Sequence, residues 1–255
     1  MAPLVHAAKA TGITTLTLDS PANRNALSAQ LVGELRAALA EAGKDTGTRA
    51  VLHTHGTRAV LLTHTGNTFC AGADLKSPCD PADFLALLRE LTTLPKPVVA
   101  RVTGHVRAGG LGVLGACDIA AAGPQSSYAF TETHLGLAPA VISMTLLPRL
   151  DPRAASRYFL TAEPFDAAEA TRIGLLTLHT DGDPDTALAP VLDGLRKASP
   201  QALAETKAMV AAGVREALDR DGDRLSELSA RLFASAEARE GITARFERRD
   251  PSWVR

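Results

Sequence analysis

Glu132 is a lone carboxylate in an apolar stretch, Tyr128-Ala129-Phe130-Thr131-Glu132-Thr133-His134-Leu135. A carboxylate with apolar neighbours loses hydration, which raises its pKa and suits it to exchanging protons near neutral pH. Upstream, the apolar run Pro97-Val98-Val99-Ala100-Arg101-Val102 breaks at Gly104 and passes through Gly109-Gly110 into an apolar helical segment. A strand that feeds a glycine pair at a helix start aims free N–H groups outward, where an anion or a developing oxyanion can be held. Gly110 lets a substrate approach the backbone closely, although such a pair also serves plain helix–strand packing. A second element of this kind is Phe69-Cys70-Ala71-Gly72-Ala73-Asp74-Leu75, a strand end followed by small residues at a turn. The N–H groups of Ala71 and Gly109 together would form the donor pair of an oxyanion hole. Cys70 is a rival as nucleophile, but no histidine stands in a partnering motif, and a small buried thiol is the alternative. Glu132 could instead cap a helix start, and His134 could face either the pocket or the surface.

These residues need elements to hold them. Ile13-Thr14-Thr15-Leu16-Thr17-Leu18 alternates as a first strand. The loop Asn23-Arg24-Asn25-Ala26-Leu27-Ser28 runs into a helix capped by Ser28, with Leu31, Leu35 and Leu39 on one face. Arg24 could meet a phosphate or remain a solvated loop arginine. The segment Thr48 to Gly56 is nearly repeated by Thr57 to Gly66, and both copies read as strands. Their histidines, His53, His55 and His64, could suggest a metal cluster, but duplication explains them and no metal site is expected. Phe84 to Leu94 has helical periodicity. Beyond the central stretch, Pro148–Leu150 with Ala154–Phe159 predicts one helix, Ala167–Ala170 another closed by Gly174, and Leu175–Leu178 a short strand. Pro190–Lys197, Ala202–Met209 and a long segment, Val214–Ala238, read as helices. The last carries Leu218, Leu225, Leu228, Leu232 and Phe233 on a face that needs a partner.

The 255 residues, 45% hydrophobic and 22% charged, suit a globular α/β chain. A net charge of −1 gives no field for nucleic acid or an anionic membrane. Three cysteines without paired spacing suggest free thiols in a reducing cytoplasm. Met1 to Ala10 lacks a signal-peptide pattern, and no apolar run is long enough to span a bilayer. The expectation is a cytoplasmic protein.

Asn25-Ala26-Leu27-Ser28, Phe69 to Leu75, Val102 to Asp118 and Thr131 to Pro139 together resemble the enoyl-CoA hydratase/isomerase family, the crotonases, in order and over nearly the whole chain. The resemblance implies a spiral core of repeated ββα units over 1–198 and a helical trimerisation region over 199–255, in a homotrimer or hexamer. It implies an acyl-CoA thioester as substrate, with no cofactor beyond that coenzyme A. Residue by residue, Ala71 and Gly109 match the oxyanion-hole positions, and Arg24, Ala26, Ala73, Asp74 and Leu75 match positions along the CoA path. Glu132, four residues before Gly136, matches the second of the family's two glutamates. The first falls three residues after the oxyanion-hole glycine, where this chain has Gly112. Gly112 is therefore expected to leave room for a branched or bulky acyl group. The implied activity is a single-glutamate enoyl-CoA hydratase for a branched or glutaconyl-type enoyl-CoA, with Δ3–Δ2 enoyl-CoA isomerase and a non-catalytic acyl-CoA-binding protein as alternatives.

Overall fold

A hairpin opens the chain: β1 (Val5–Ala10) lies antiparallel to β2 (Ile13–Leu18) across a turn in which Thr11 and Gly12 both take positive φ. β2 buries Thr14, Leu16 and Leu18 along one face, as its alternation predicts, and also Ile13 on the other. Ser28 then caps α1 (Ala29–Lys44) by accepting from the Leu31 N–H, and Leu31, Leu35 and Leu39 are buried. The computed structural model describes residues 2–46 and 56–254. Residues 48–55 of the repeated segment's first copy, His53 and His55 among them, therefore lie outside the described residues. The second copy forms β3 (Ala59–His64).

From β3 onward one pattern occurs three times. β3, β4 (Thr68–Cys70) and α2 (Pro81–Thr93) are followed by β5 (Val98–Val102), β6 (His105–Arg107) and α3 (Gly109–Ala116), then by β7 (Ile119–Ala122), β8 (Ser127–Ala129) and α4 (Ala140–Leu146). α5 (Pro152–Thr161), β9 (Phe165–Asp166), α6 (Ala167–Arg172), β10 (Leu178–His179), α7 (Pro184–Lys197), α8 (Pro200–Val210), α9 (Ala212–Phe233) and α10 (Ala236–Glu247) complete the chain. The first strand of each unit joins a larger sheet, β1-β2-β3-β5-β7-β10, and the second joins a smaller one, β4-β6-β8-β9. Within each sheet the strands of successive units pair in parallel, Val60 with Val98 and Val99 with Ile119 in one, Thr68 with His105 and Val106 with Tyr128 in the other. Each unit thus advances both sheets by one strand, which is the expected spiral of ββα units. β5 is buried on both faces through Val98, Val99 and Ala100, so its sequence opens as an apolar run rather than an alternating one, with Arg101 the one half-buried residue. α3 is apolar all round because it is the central helix, with Gly110 through Ala116 all buried.

Several expected elements are corrected. α4 was not anticipated, since its seven residues continue an apolar loop without a polar cap. α5 begins at Pro152 behind an Asp151 cap, leaving Pro148–Leu150 outside it. Leu175 and Leu176 are buried as a core connection, so β10 is confined to Leu178–His179. α7 starts at Pro184, capped by Asp183, and carries the exposed Pro190 in its interior. Val214–Ala238 is not one helix: the chain breaks after Phe233, and the Ser235 hydroxyl caps α10 by accepting from the Ala238 N–H at 3.0 Å. α9 packs against α2 and α4, burying Val214, Ala217 and Leu218, so the chain's own core covers the first part of its apolar face.

A buried ion pair ties α8 to the central sheet. Lys207 Nζ lies 2.8 Å from Asp118 Oδ2 and also donates to the carbonyls of Leu91 and Lys96, while the same Asp118 oxygen accepts from the Val98 N–H at 2.7 Å. The carboxylate thereby fixes the start of β5 relative to the end of α3. Among the described residues no helix is long and apolar enough to cross a membrane.

Candidate active site

The connections that leave β4, β6 and β8 converge on one cavity of about 370 Å³. Ala71, Ala73 and Leu75 come from the first connection, Ala108 and Gly109 from the second, Thr131 and Glu132 from the third. Leu137, Val141 and Ile142 of the segment through α4 form an apolar wall, and Ala230 and Phe233 of α9 add to it. The parallel register of the smaller sheet is what brings the three strand ends together.

Glu132 is 8% exposed, and its Oε2 has no hydrogen-bond partner among the described residues. Burial pushes its pKa up to about 7, opposed in part by its own backbone N–H. Its loop is held from outside by α10. A Cβ on Gly136, where φ is +70°, would fall 2.6 Å from the Glu237 backbone, and one on Gly241 would fall 2.6 Å from that of Leu135. Glycine at both positions lets α10 rest directly on the turn that follows Glu132.

The turn before α3 is strained. Ala108 sits at φ 47°, ψ −120°, a conformation ordinarily left to glycine. It leads into Gly109, which lines the cavity and whose N–H has no backbone acceptor among the described residues. Gly72, at φ +90°, lies against this turn: a Cβ there would sit 2.8 Å from Ala108 Cβ and 3.4 Å from Gly109 N. The expected second donor is corrected here. The Ala71 N–H donates to the Arg24 carbonyl at 3.1 Å and is not open to the cavity. Ala73 is the residue whose N–H has no backbone acceptor among the described residues, because Leu27 binds its two neighbours instead, donating to Gly72 O and accepting from Asp74 N. Ala71 and Ala73 are chemically identical, so nothing in composition separated them; the distinction lies in the strand-like pairing of Leu27 beside Ala73.

The remaining expected residues divide. Ala73 and Leu75 line the cavity. Arg24 is exposed, with φ 59°, and Ala26 is buried beside it. Asp74 acts within its own loop, accepting from Asn23 Nδ2 and from the N–H groups of Lys76 and Ser77. Gly110 is a packing position, since a Cβ there would meet Cys70 Cβ at 2.7 Å. Gly112 does not leave open space: a Cβ there would fall 2.5 Å from Ile142 Cγ2, so the expected room for a bulky acyl group is already filled. Sequence reasoning missed Pro78, Cys79 and Phe84 on one side of the cavity and Arg245 on another. Cys70 is buried with its thiol pushed up to about 12 by desolvation, which leaves no thiolate for nucleophilic attack. His64 is held in the core, where its Nε2 accepts from the Thr103 N–H at 3.1 Å, and burial lowers its pKa. His134 is exposed.

The profile of the family described as Enoyl-CoA hydratase/isomerase matches residues 8–255. The chain belongs to the enoyl-CoA hydratase/isomerase family. Among solved structures, an enoyl-CoA hydratase from Mycobacterium avium is 48% identical, with a TM-score of 0.90 and full coverage of both chains. An enoyl-CoA hydratase/isomerase from Pseudoalteromonas atlantica is 27% identical with a TM-score of 0.85, covering 98% of this chain and 100% of that one. A Thermus thermophilus protein, provisionally named an enoyl-CoA hydratase, is 30% identical over 94% of this chain and 96% of its own. Membership in the enoyl-CoA hydratase/isomerase family accounts for the spiral of ββα units and makes acyl-CoA thioesters the substrate class to consider. Against the two-glutamate pattern of hydratases in that family, this cavity is lined by Glu132 and by Ile142, which packs over the buried Gly112.

Proposed function

We propose that this enzyme polarises the thioester carbonyl of an acyl-CoA between the N–H groups of Ala73 and Gly109 and moves protons with Glu132 alone. The reaction is hydration of a 2-enoyl-CoA. The observation that carries the reading is a buried carboxyl with a pKa near 7, one of whose oxygens has no partner among the described residues, in the same cavity as two backbone donors without an acceptor among them. The ionised Glu132 takes a proton from water as the water oxygen bonds to C3 of the enoyl group. The C2=C3 electron pair shifts into the thioester, leaving an enolate whose oxygen the two N–H groups stabilise, each worth ~3–4 kcal/mol in well-characterised sites. Glu132 then returns the proton to C2, giving a 3-hydroxyacyl thioester by syn addition. CoA enters as part of the substrate, and the proton transfer calls for no further cofactor. Arg24, exposed at the turn whose carbonyl binds Ala71, suits a CoA phosphate. The partly exposed Leu228, Leu232 and Phe233 suit a homotrimer or hexamer.

A second reading, Δ3–Δ2 enoyl-CoA isomerisation, is favoured by Gly112 and Ile142, which leave no second carboxylate to hold a water. One base suffices to carry a proton between C2 and C4. Incubation of 2-enoyl-CoA and 3-enoyl-CoA in H₂¹⁸O separates the two. Label in a 3-hydroxyacyl product supports hydration, and a shifted double bond without label replaces it by isomerisation. Glu132→Gln lowers kcat by about 10²–10⁴ while CoA thioester binding persists; unchanged turnover removes Glu132 from the mechanism.

A further inference from the structure

Ile142 stands where the side chain of residue 112 would otherwise be. A Cβ built on Gly112 falls 2.5 Å from Ile142 Cγ2, 2.9 Å from its Cβ and 3.4 Å from its Cα. The Cβ distance matters most, because Cβ is fixed by the α4 backbone and cannot rotate away, whereas the Cα lies in ordinary contact. One turn further, a Cβ on Gly115 would meet Leu146 Cδ2 and Thr145 O, both at 3.0 Å. The Thr145 hydroxyl donates to the Gly112 carbonyl at 2.9 Å and pins the two helices in this register. Gly112 and Gly115 share one face of α3, so their missing side chains form the seat into which α4 settles.

Ile142 is 3% exposed, yet it lines the cavity that holds Glu132. A β-branched side chain on a helix has essentially one rotamer, so Ile142 cannot swing aside to admit a larger ligand. Resting on the proposed acyl-CoA function, we infer that Ile142 sets the acyl specificity, restricting the cavity to short, unbranched acyl thioesters. The loss of a side chain at 112 is thus not a vacancy but an exchange: an apolar wall supplied by the next helix replaces it. Discrimination of this kind is steep, since one methylene in a close-fitting apolar pocket changes selectivity by about 10–200-fold.

The test is calorimetric binding of butanoyl-, 3-methylbutanoyl- and octanoyl-CoA, which are saturated and do not react. Wild-type protein is expected to bind butanoyl-CoA at least about tenfold tighter than the other two. Ile142→Ala should reduce that preference by about tenfold or more, and Ile142→Val should give an intermediate shift in a variant that keeps the branched packing. Wild-type preference for the branched or long chain overturns the inference, as does an equal change for all three ligands in both variants. Wild-type protein that binds none of the three overturns the proposed function and the inference together, whereas binding without the stated preference overturns the inference alone. Steric occupancy is read separately from thermal stability. Gly112→Ala should lower Tm, and adding Ile142→Ala should cost less than the sum of the two single changes; strict additivity would place Ile142 outside the space beside residue 112.

Discussion

Replacing Glu132 by Gln should shift stability in favour of the variant as pH rises, by an amount set by the burial of the carboxyl. The carboxyl has a pKa of about 7 when folded against a reference value of 4.5, with burial as the main cause. Below pH 4.5 it is protonated in both states and contributes nothing to the pH dependence. As pH rises from 4.5 to 7 the unfolded chain loses this proton while the folded chain keeps it, so stability falls with pH across that window and is level above it. Each pKa unit corresponds to about 1.4 kcal/mol, and the shift of roughly 2.5 units therefore amounts to about 3 kcal/mol at pH 8. A glutamine keeps the shape and carries no charge, so it escapes this penalty while incurring a pH-independent cost or gain from its amide. The quantity to measure is the difference in unfolding free energy between Glu132→Gln and wild type, by denaturant titration at pH 4.5 and at pH 8. That difference should move by about 3 kcal/mol in favour of the variant between the two conditions. A difference that stays constant would mean that Glu132 is not desolvated when folded, and the argument for its role as a neutral-pH proton carrier would go with it.

The same carboxyl predicts that kcat/KM rises with pH through an ionisation near 7, because the reaction begins from the carboxylate; a profile flat from pH 5 to 9 would contradict it. Lys207→Met leaves Asp118 as a buried, unpaired charge and should cost about 3–5 kcal/mol, read by urea titration; a loss below 1 kcal/mol would show that the pair does not join α8 to the sheet. Ala108→Gly relieves a positive-φ alanine and should raise stability by about 1 kcal/mol, with turnover retained if the Gly109 N–H keeps its aim. Arg245→Ala should weaken CoA thioester binding about three- to tenfold at low salt and less at 0.5 M salt, since burial and then the charge of Arg245 already hold the neighbouring Arg107 below its ordinary pKa; a salt-independent effect would point to packing instead.

The chemistry was legible where it is written locally. An apolar run ending in Gly109-Gly110, a small-residue turn after Phe69 and a carboxylate among apolar neighbours each state their own environment, because strand, helix start and desolvation follow from adjacent residues. Helix ends were less legible. The Ser235 cap that splits α9 from α10 and the exposed Pro190 inside α7 read ambiguously in a sequence where apolar periodicity continues past both.

What the sequence alone determined was the set of groups able to act: Glu132, the glycine turn and the absence of a side chain at 112. Only the tertiary structure decided which of them face the cavity. Ala71 and Ala73 differ in whether their N–H groups are taken, and that depends on Arg24 and Leu27, nearly fifty residues away and docked through backbone pairing that carries no side-chain signature. The space at Gly112 looked empty for the same reason. A glycine records that its own side chain is missing, while the residue that fills the gap, Ile142 on a helix thirty residues later, is chosen by packing between elements.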